Sequence, residues 1–186
     1  MVCKFNIPNT LTFIRMILIP VIVIVFYLPW GKAYYLCAFI FFMACITDWL
    51  DGLLARKLGQ MTQFGAFIDP VADKLVVAAS LSMLIEGYHT VWITIPAMII
   101  IGREIVISAL REWMAEVGKS SNVAVNMIGK IKTLLQMAAI LILFLSFPHF
   151  NWFTIVGIVA LYIAGILTIW SMCLYLGIAF KMSKNS

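Results

Sequence analysis

Charge is what this chain has least of. Asp, Glu, Lys and Arg make up 11% of its 186 residues and 64% are hydrophobic, against about 25% charged and about 45–50% apolar in soluble domains. That composition excludes a soluble globular fold. Cysteine is also sparse: Cys3, Cys37, Cys45 and Cys173 have no paired spacing, which argues against a disulfide scaffold or a zinc site and for small apolar fillers. The two histidines, His89 and His149, fall in expected outer loops and are read as inert. The sequence shows no internal repeat, low-complexity segment or nucleic-acid-binding motif. No small-residue cleavage pattern follows the first apolar run and Arg15 interrupts it, so this run is a retained span rather than a signal peptide.

What the chain has instead is long apolar runs. They cover Leu11 to Tyr27, Tyr35 to Leu53, Val71 to Ile85, Val91 to Leu110, Ile131 to Phe147 and Phe153 to Ile178, against about 20 residues needed per helical span. The expected fold is therefore all-α: one polytopic membrane domain over residues 1–186, with six transmembrane helices and an N-terminal interfacial segment. The third run is short and carries Asp73 and Lys74 at its start, so its helix is expected to begin at the membrane surface and dip inward. Pro8 fixes the approach to the first helix, where Asn9 or Thr10 would serve as cap.

Of the 13 Lys and Arg residues, only Lys32 falls on the outer side if the amino terminus is inside. By the bias of basic residues toward the cytoplasm, both termini and the longer connections, Lys57 to Phe64 and Trp113 to Gly129, are cytosolic. The outer connections are tight. They are flanked by Tyr27, Trp30, Tyr34, Tyr35, Tyr88, Trp92, Phe150 and Trp152, an interfacial aromatic belt. The net charge of +5 thus belongs to one face, where it meets anionic lipid heads and anionic substrates.

Four of the eight acidic residues cluster in one motif, D-x2-D-G-x2-A-R-x8-G-x3-D-x3-D, formed by Asp48, Asp51, Gly52, Ala55, Arg56, Gly65, Asp69 and Asp73. Asp48 and Asp51 share one helical face and Asp69 and Asp73 another, so the four can converge. Two unit charges about 4 Å apart repel by roughly 4 kcal/mol at an effective dielectric near 20, so such a cluster requires cations or protons. Oxygen-only ligands select hard divalent ions. The alternative is a structural ion-pair network with Arg56 and Lys74, which the functional default for ionisable groups inside membranes disfavours. An ion-coupled transporter is disfavoured too, because no acidic path continues through the outer half.

The eight positions of this spacing resemble the signature of the CDP-alcohol phosphotransferases. Asn6-Ile7-Pro8-Asn9 and the run from Arg103 to Glu112 are similar to members that use glycerol 3-phosphate as acceptor. The resemblance implies a bacterial inner-membrane enzyme, homodimeric, with its site facing the cytosol. It would move a phosphatidyl group from CDP-diacylglycerol to glycerol 3-phosphate and release CMP, with Mg²⁺ or Mn²⁺, two ions, as cofactor. It further implies that Asp48, Asp51, Asp69 and Asp73 hold metal and that Asp73 is also the base. Gly52, Ala55, Arg56 and Gly65 would line the cytidine diphosphate site, and Asn9 and Arg15 would lie near the lipid donor's phosphates. The motif alone leaves serine, inositol phosphate or phosphatidylglycerol open as acceptor.

Other residues carry two readings each. Gly52 and Ala55 remove bulk beside the carboxylates, for a nucleotide or for tight helix packing. Arg103 and Arg111 share a helical face, and with Lys130 they suit the acceptor's phosphate. Equally, they could snorkel or pair with Glu104 and Glu112. Gly157, Ala160, Ala164 and Gly165 form a small-residue face that could pack internally or between subunits.

Overall fold

A computed structural model of the chain describes residues 7–58, 63–116 and 127–183. These form six α-helices, with no strand among the described residues: α1 (Ile7–Phe26), α2 (Ala33–Leu58), α3 (Gln63–Tyr88), α4 (Val91–Glu116), α5 (Met127–Ser146) and α6 (Trp152–Ser183). Apolar runs become helices because a segment without water partners must satisfy its backbone groups internally. The N-terminal segment up to Asn6 and the inner connections 59–62 and 117–126 lie outside the described residues, as does Cys3.

The helices outrun the apolar runs. α2 continues through Gly52-Leu53-Leu54-Ala55-Arg56-Lys57 and α4 through Arg111-Glu112-Trp113-Met114-Ala115-Glu116, where Leu, Ala, Arg, Lys, Met and Glu sustain a helix without apolar character. The expected start of the third helix near Val71 is corrected by the structure. α3 begins at Gln63, about two turns earlier, and stays helical through Asp69, Pro70 and Asp73. Those residues interrupt the hydropathy but not the backbone, since membrane helices tolerate proline when neighbouring groups satisfy the freed carbonyl. α1 likewise begins at Ile7, so Asn9 and Thr10 lie inside its first turn and not at its cap. A cap that the sequence reading missed sits at α6, where Asn151 Oδ1 accepts from the Thr154 amide at 3.1 Å and Thr154 Oγ1 from the Asn151 amide at 3.2 Å.

Val91–Leu110 and Trp152–Cys173 are each long and apolar enough to cross a membrane, while Thr12–Phe26, Ala33–Asp48 and Ile131–Ser146 are apolar but shorter. α1 packs on α2 and α3, α6 packs on α4 and α5, and contacts of α3 with α4 and α5 and of α2 with α5 join the two groups. The core contains Phe41, Leu81, Leu84, Ile100, Leu143, Phe144 and Leu161, with Ala97, Ala139 and Ala164 admitting close helix approach. At the end with the short turns, Phe147 packs against the rings of Phe26, Tyr34 and Tyr88. Outside, Ile17, Ile24, Trp92, Ile105, Ile166 and Trp170 are exposed, an apolar surface suited to lipid.

The small-residue face of α6 packs internally. A Cβ on Gly157 would stand 2.9 Å from the Leu143 side chain, and one on Gly165 would meet Pro96 at 3.9 Å. Leu143 is fully buried and has nowhere to retreat. Gly157→Leu is therefore expected to destabilise the bundle by about 1–3 kcal/mol, the usual cost of overpacking. A lower midpoint of thermal unfolding in detergent checks this.

Candidate active site

At the end of the bundle opposite the short turns, three helices bring charged groups together. Arg15 of α1 is 1% exposed, and its Nη1 lies 3.1 Å from Asp48 Oδ1 of α2 and 2.5 Å from Asp73 Oδ1 of α3. The two carboxylates are 35% and 38% exposed, so the arginine is sealed while the acids stay within reach of a ligand. A buried guanidinium needs such partners, because an unpaired charge in a low-dielectric interior is costly. Thr47, beside Asp48, turns its hydroxyl back to the carbonyls of Met43 and Ala44.

Lys74, one residue beyond Asp73, donates to the Ser108 hydroxyl of α4. Among the described contacts, Asp48 and Asp73 share Arg15. On the neighbouring faces of α4, α5 and α6 lies a second polar cluster. Arg103 Nη1 donates to Glu104 Oε1 at 3.0 Å and its Nη2 to Ser171 Oγ at 2.6 Å. Lys132 Nζ reaches the same Glu104 oxygen at 2.6 Å. Arg103 and Lys132 are buried, and Ile107, one turn beyond Arg103, is buried on the same face.

The remaining site candidates are placed by their backbones. Asp51, Gly52, Ala55 and Arg56 lie on the last turns of α2, and Gly65 and Asp69 lie on the first turns of α3. Asn9 is in α1, Arg111 in α4 and Lys130 in α5. Their side chains fall outside the described ones. Asp51 follows Asp48 by about one turn and Asp69 precedes Asp73 by about one turn, so the four acids occupy adjoining turns of two helices that contact each other.

Residues 5–174 match the family model described as CDP-alcohol phosphatidyltransferase. The chain belongs to that family. A similar relative, from Haemophilus influenzae, is 57% identical over 95% of this chain and 94% of its own length. Proteins of Pectobacterium atrosepticum and Salmonella choleraesuis are 56% and 54% identical, each over 95% of this chain and 96% of the relative. All three bear the name CDP-diacylglycerol--glycerol-3-phosphate 3-phosphatidyltransferase. CDP-alcohol phosphatidyltransferases are divalent-metal-dependent transferases of membranes, and this chain is a membrane protein.

In this CDP-alcohol phosphatidyltransferase Arg15, expected near the donor phosphates, pairs with two of the acids. A signal was available: a lone arginine within an apolar run must find carboxylates somewhere in the bundle. The Lys132–Glu104 pair was missed. The place of Lys132 after Ile131 in an apolar helix makes it a candidate for internal pairing.

Proposed function

We propose that the protein transfers the phosphatidyl group of CDP-diacylglycerol to glycerol 3-phosphate, giving phosphatidylglycerophosphate and CMP, at the cytosolic side of a bacterial inner membrane. The observation that carries this reading is the pair of reachable carboxylates, Asp48 and Asp73, held at one buried guanidinium inside a full family signature. Names of the relatives supply donor and acceptor. Six spans with both termini inside follow from the bias of Lys and Arg toward one set of connections in the sequence. Assembly as a homodimer is part of the same reading.

The donor set suits a hard metal. Carboxylate oxygens are the ligands that Mg²⁺ and Mn²⁺ take, and Asp48 and Asp73 stay 35% and 38% exposed beside Arg15, so both keep ligand capacity toward the site. Asp48, Asp51, Asp69 and Asp73 would hold Mg²⁺ or Mn²⁺. Two bound ions would polarise the donor diphosphate and stabilise the charge of departing CMP. The acceptor hydroxyl oxygen forms a bond to the phosphorus that carries diacylglycerol, the phosphoanhydride bond breaks toward CMP, and the hydroxyl proton passes to Asp73. Gly52, Ala55, Arg56 and Gly65 line the nucleotide side, with Asn9 and Arg15 toward the lipid. Arg103, Arg111 and Lys130 bind the acceptor's phosphate.

The test is transfer by purified protein from CDP-diacylglycerol to a panel of labelled alcohols. Product is expected with glycerol 3-phosphate and not with serine or inositol phosphate; a preference for an acceptor without phosphate overturns the reading. Arg111→Lys keeps the charge but loses the bidentate fork. Its Michaelis constant for glycerol 3-phosphate is expected to rise roughly tenfold while that for CDP-diacylglycerol stays put, which steady-state kinetics in mixed micelles can measure.

A further inference from the structure

The junction of α4, α5 and α6 holds three charges on two kinds of partner. Glu104, 23% exposed, receives Lys132 at 2.6 Å and Arg103 at 3.0 Å through the same oxygen, Oε1. Lys132 is 1% and Arg103 9% exposed, so both cations are sheltered from water. Among the described contacts, two cations share this one carboxylate oxygen. Polar capacity is in surplus: Arg103 Nε, Gln136 Oε1 and Thr168 Oγ1 are buried without a hydrogen bond among the described residues. Gln136 lies one turn beyond Lys132 on α5 and Thr168 one turn before Ser171 on α6, so their backbones border the same junction.

An arginine fully matched by a carboxylate is a poor phosphate receptor, because the anion must compete with an internal partner already in place. Here the closer cation at Glu104 is Lys132. We infer that Lys132 is the counter-ion that keeps Glu104 from neutralising Arg103, and so sets the charge with which the acceptor pocket meets a phosphate. Lys132 is a positioning residue in this scheme and need not touch the acceptor. Glu104 orients Arg103 by accepting from Nη1, Ser171 fixes Nη2, and Lys132 offsets the carboxylate's charge. The inference rests on the proposed transfer to a phosphate-bearing acceptor and on the place of Arg103 in that pocket.

Lys132→Met, an unbranched chain one atom shorter that removes the charge, leaves Glu104 to Arg103. The acceptor Michaelis constant is expected to rise roughly tenfold or more, with that for CDP-diacylglycerol within about twofold of wild type, because a charge-assisted contact weakens only on the acceptor side. Lys132→Arg retains the charge and is expected to stay within about threefold on both. The double variant Glu104→Gln/Lys132→Met removes both charges while the Gln carbonyl still accepts from Arg103. It should return the acceptor constant to within about threefold of wild type, a rescue that a purely structural pair would not give.

An unchanged acceptor constant in folded Lys132→Met overturns the inference, as does a folded double variant that remains as weak for the acceptor as the single one. If Lys132→Met does not fold, the double variant decides alone: a wild-type-like acceptor constant supports the inference and a raised one overturns it. Wild-type activity on the panel of alcohols tests the transfer itself. Wild-type activity on glycerol 3-phosphate with no shift in the variants therefore sinks the role of Lys132 while leaving the function standing.

Discussion

Asp48→Asn is expected to abolish phosphatidyl transfer while leaving the bundle folded. The substitution conserves volume and removes one ligand charge from a cluster that gathers cations, so the loss falls on metal and donor binding. A single preorganised electrostatic contact is worth about 10² to 10³ in rate, and a metal ligand should cost at least the upper figure. The fold is spared for a specific reason. Arg15, the buried cation beside Asp48, keeps its 2.5 Å contact with Asp73, so its charge is not stranded in the interior. Asp51→Asn and Asp69→Asn should lose activity in the same way. Chelation should silence the wild type, and added Mg²⁺ or Mn²⁺ should restore it. The comparison needs three readings on one preparation: transfer, Mn²⁺ binding by electron paramagnetic resonance, and thermal unfolding. Full activity after verified metal removal would defeat the assignment.

The division between what could and could not be read from the amino acids follows the physics of each feature. Helix number was legible because an apolar run inside lipid has one way to satisfy its backbone. Helix ends were not. α3 runs through Asp69, Pro70 and Asp73, where polarity signals a boundary that backbone hydrogen bonding ignores. That Asp48 and Asp73 lie close together was legible from the motif, whose spacings of three and four residues give each pair a common helical face. Their partner was not, because a separation of 58 positions between Arg15 and Asp73 carries no periodic relation that sequence can express. The pairing of Lys132 with Glu104 across 28 residues is hidden for the same reason. Of the readings the sequence left open for Arg103, pairing with Glu104 is present in the structure, with the arginine buried.

Asp73→Asn is expected to slow turnover by about 10² to 10⁴, the usual contribution of a positioned base, while metal and CDP-diacylglycerol still bind. Asp73 closes the motif one turn after Asp69 and meets Arg15 through Oδ1 at 2.5 Å, so its carboxylate is held in a fixed direction before any substrate arrives. That fixation favours proton transfer over a floppy general base, since a base must lie within hydrogen-bond reach of the proton it removes. A carboxylate is weakly basic, and the transfer works only if the acceptor proton leaves as its oxygen bonds to phosphorus. Asn presents an amide of nearly equal size at the same place and cannot take the proton. Arg15 then relies on Asp48 at 3.1 Å, which should lower the unfolding midpoint somewhat without unfolding the protein. Equilibrium binding of Mn²⁺ and of donor, together with single-turnover transfer, separates the chemical step from occupancy. A variant that loses metal as completely as Asp69→Asn would make Asp73 chiefly a ligand, and one that turns over at the wild-type rate would remove it from proton transfer altogether.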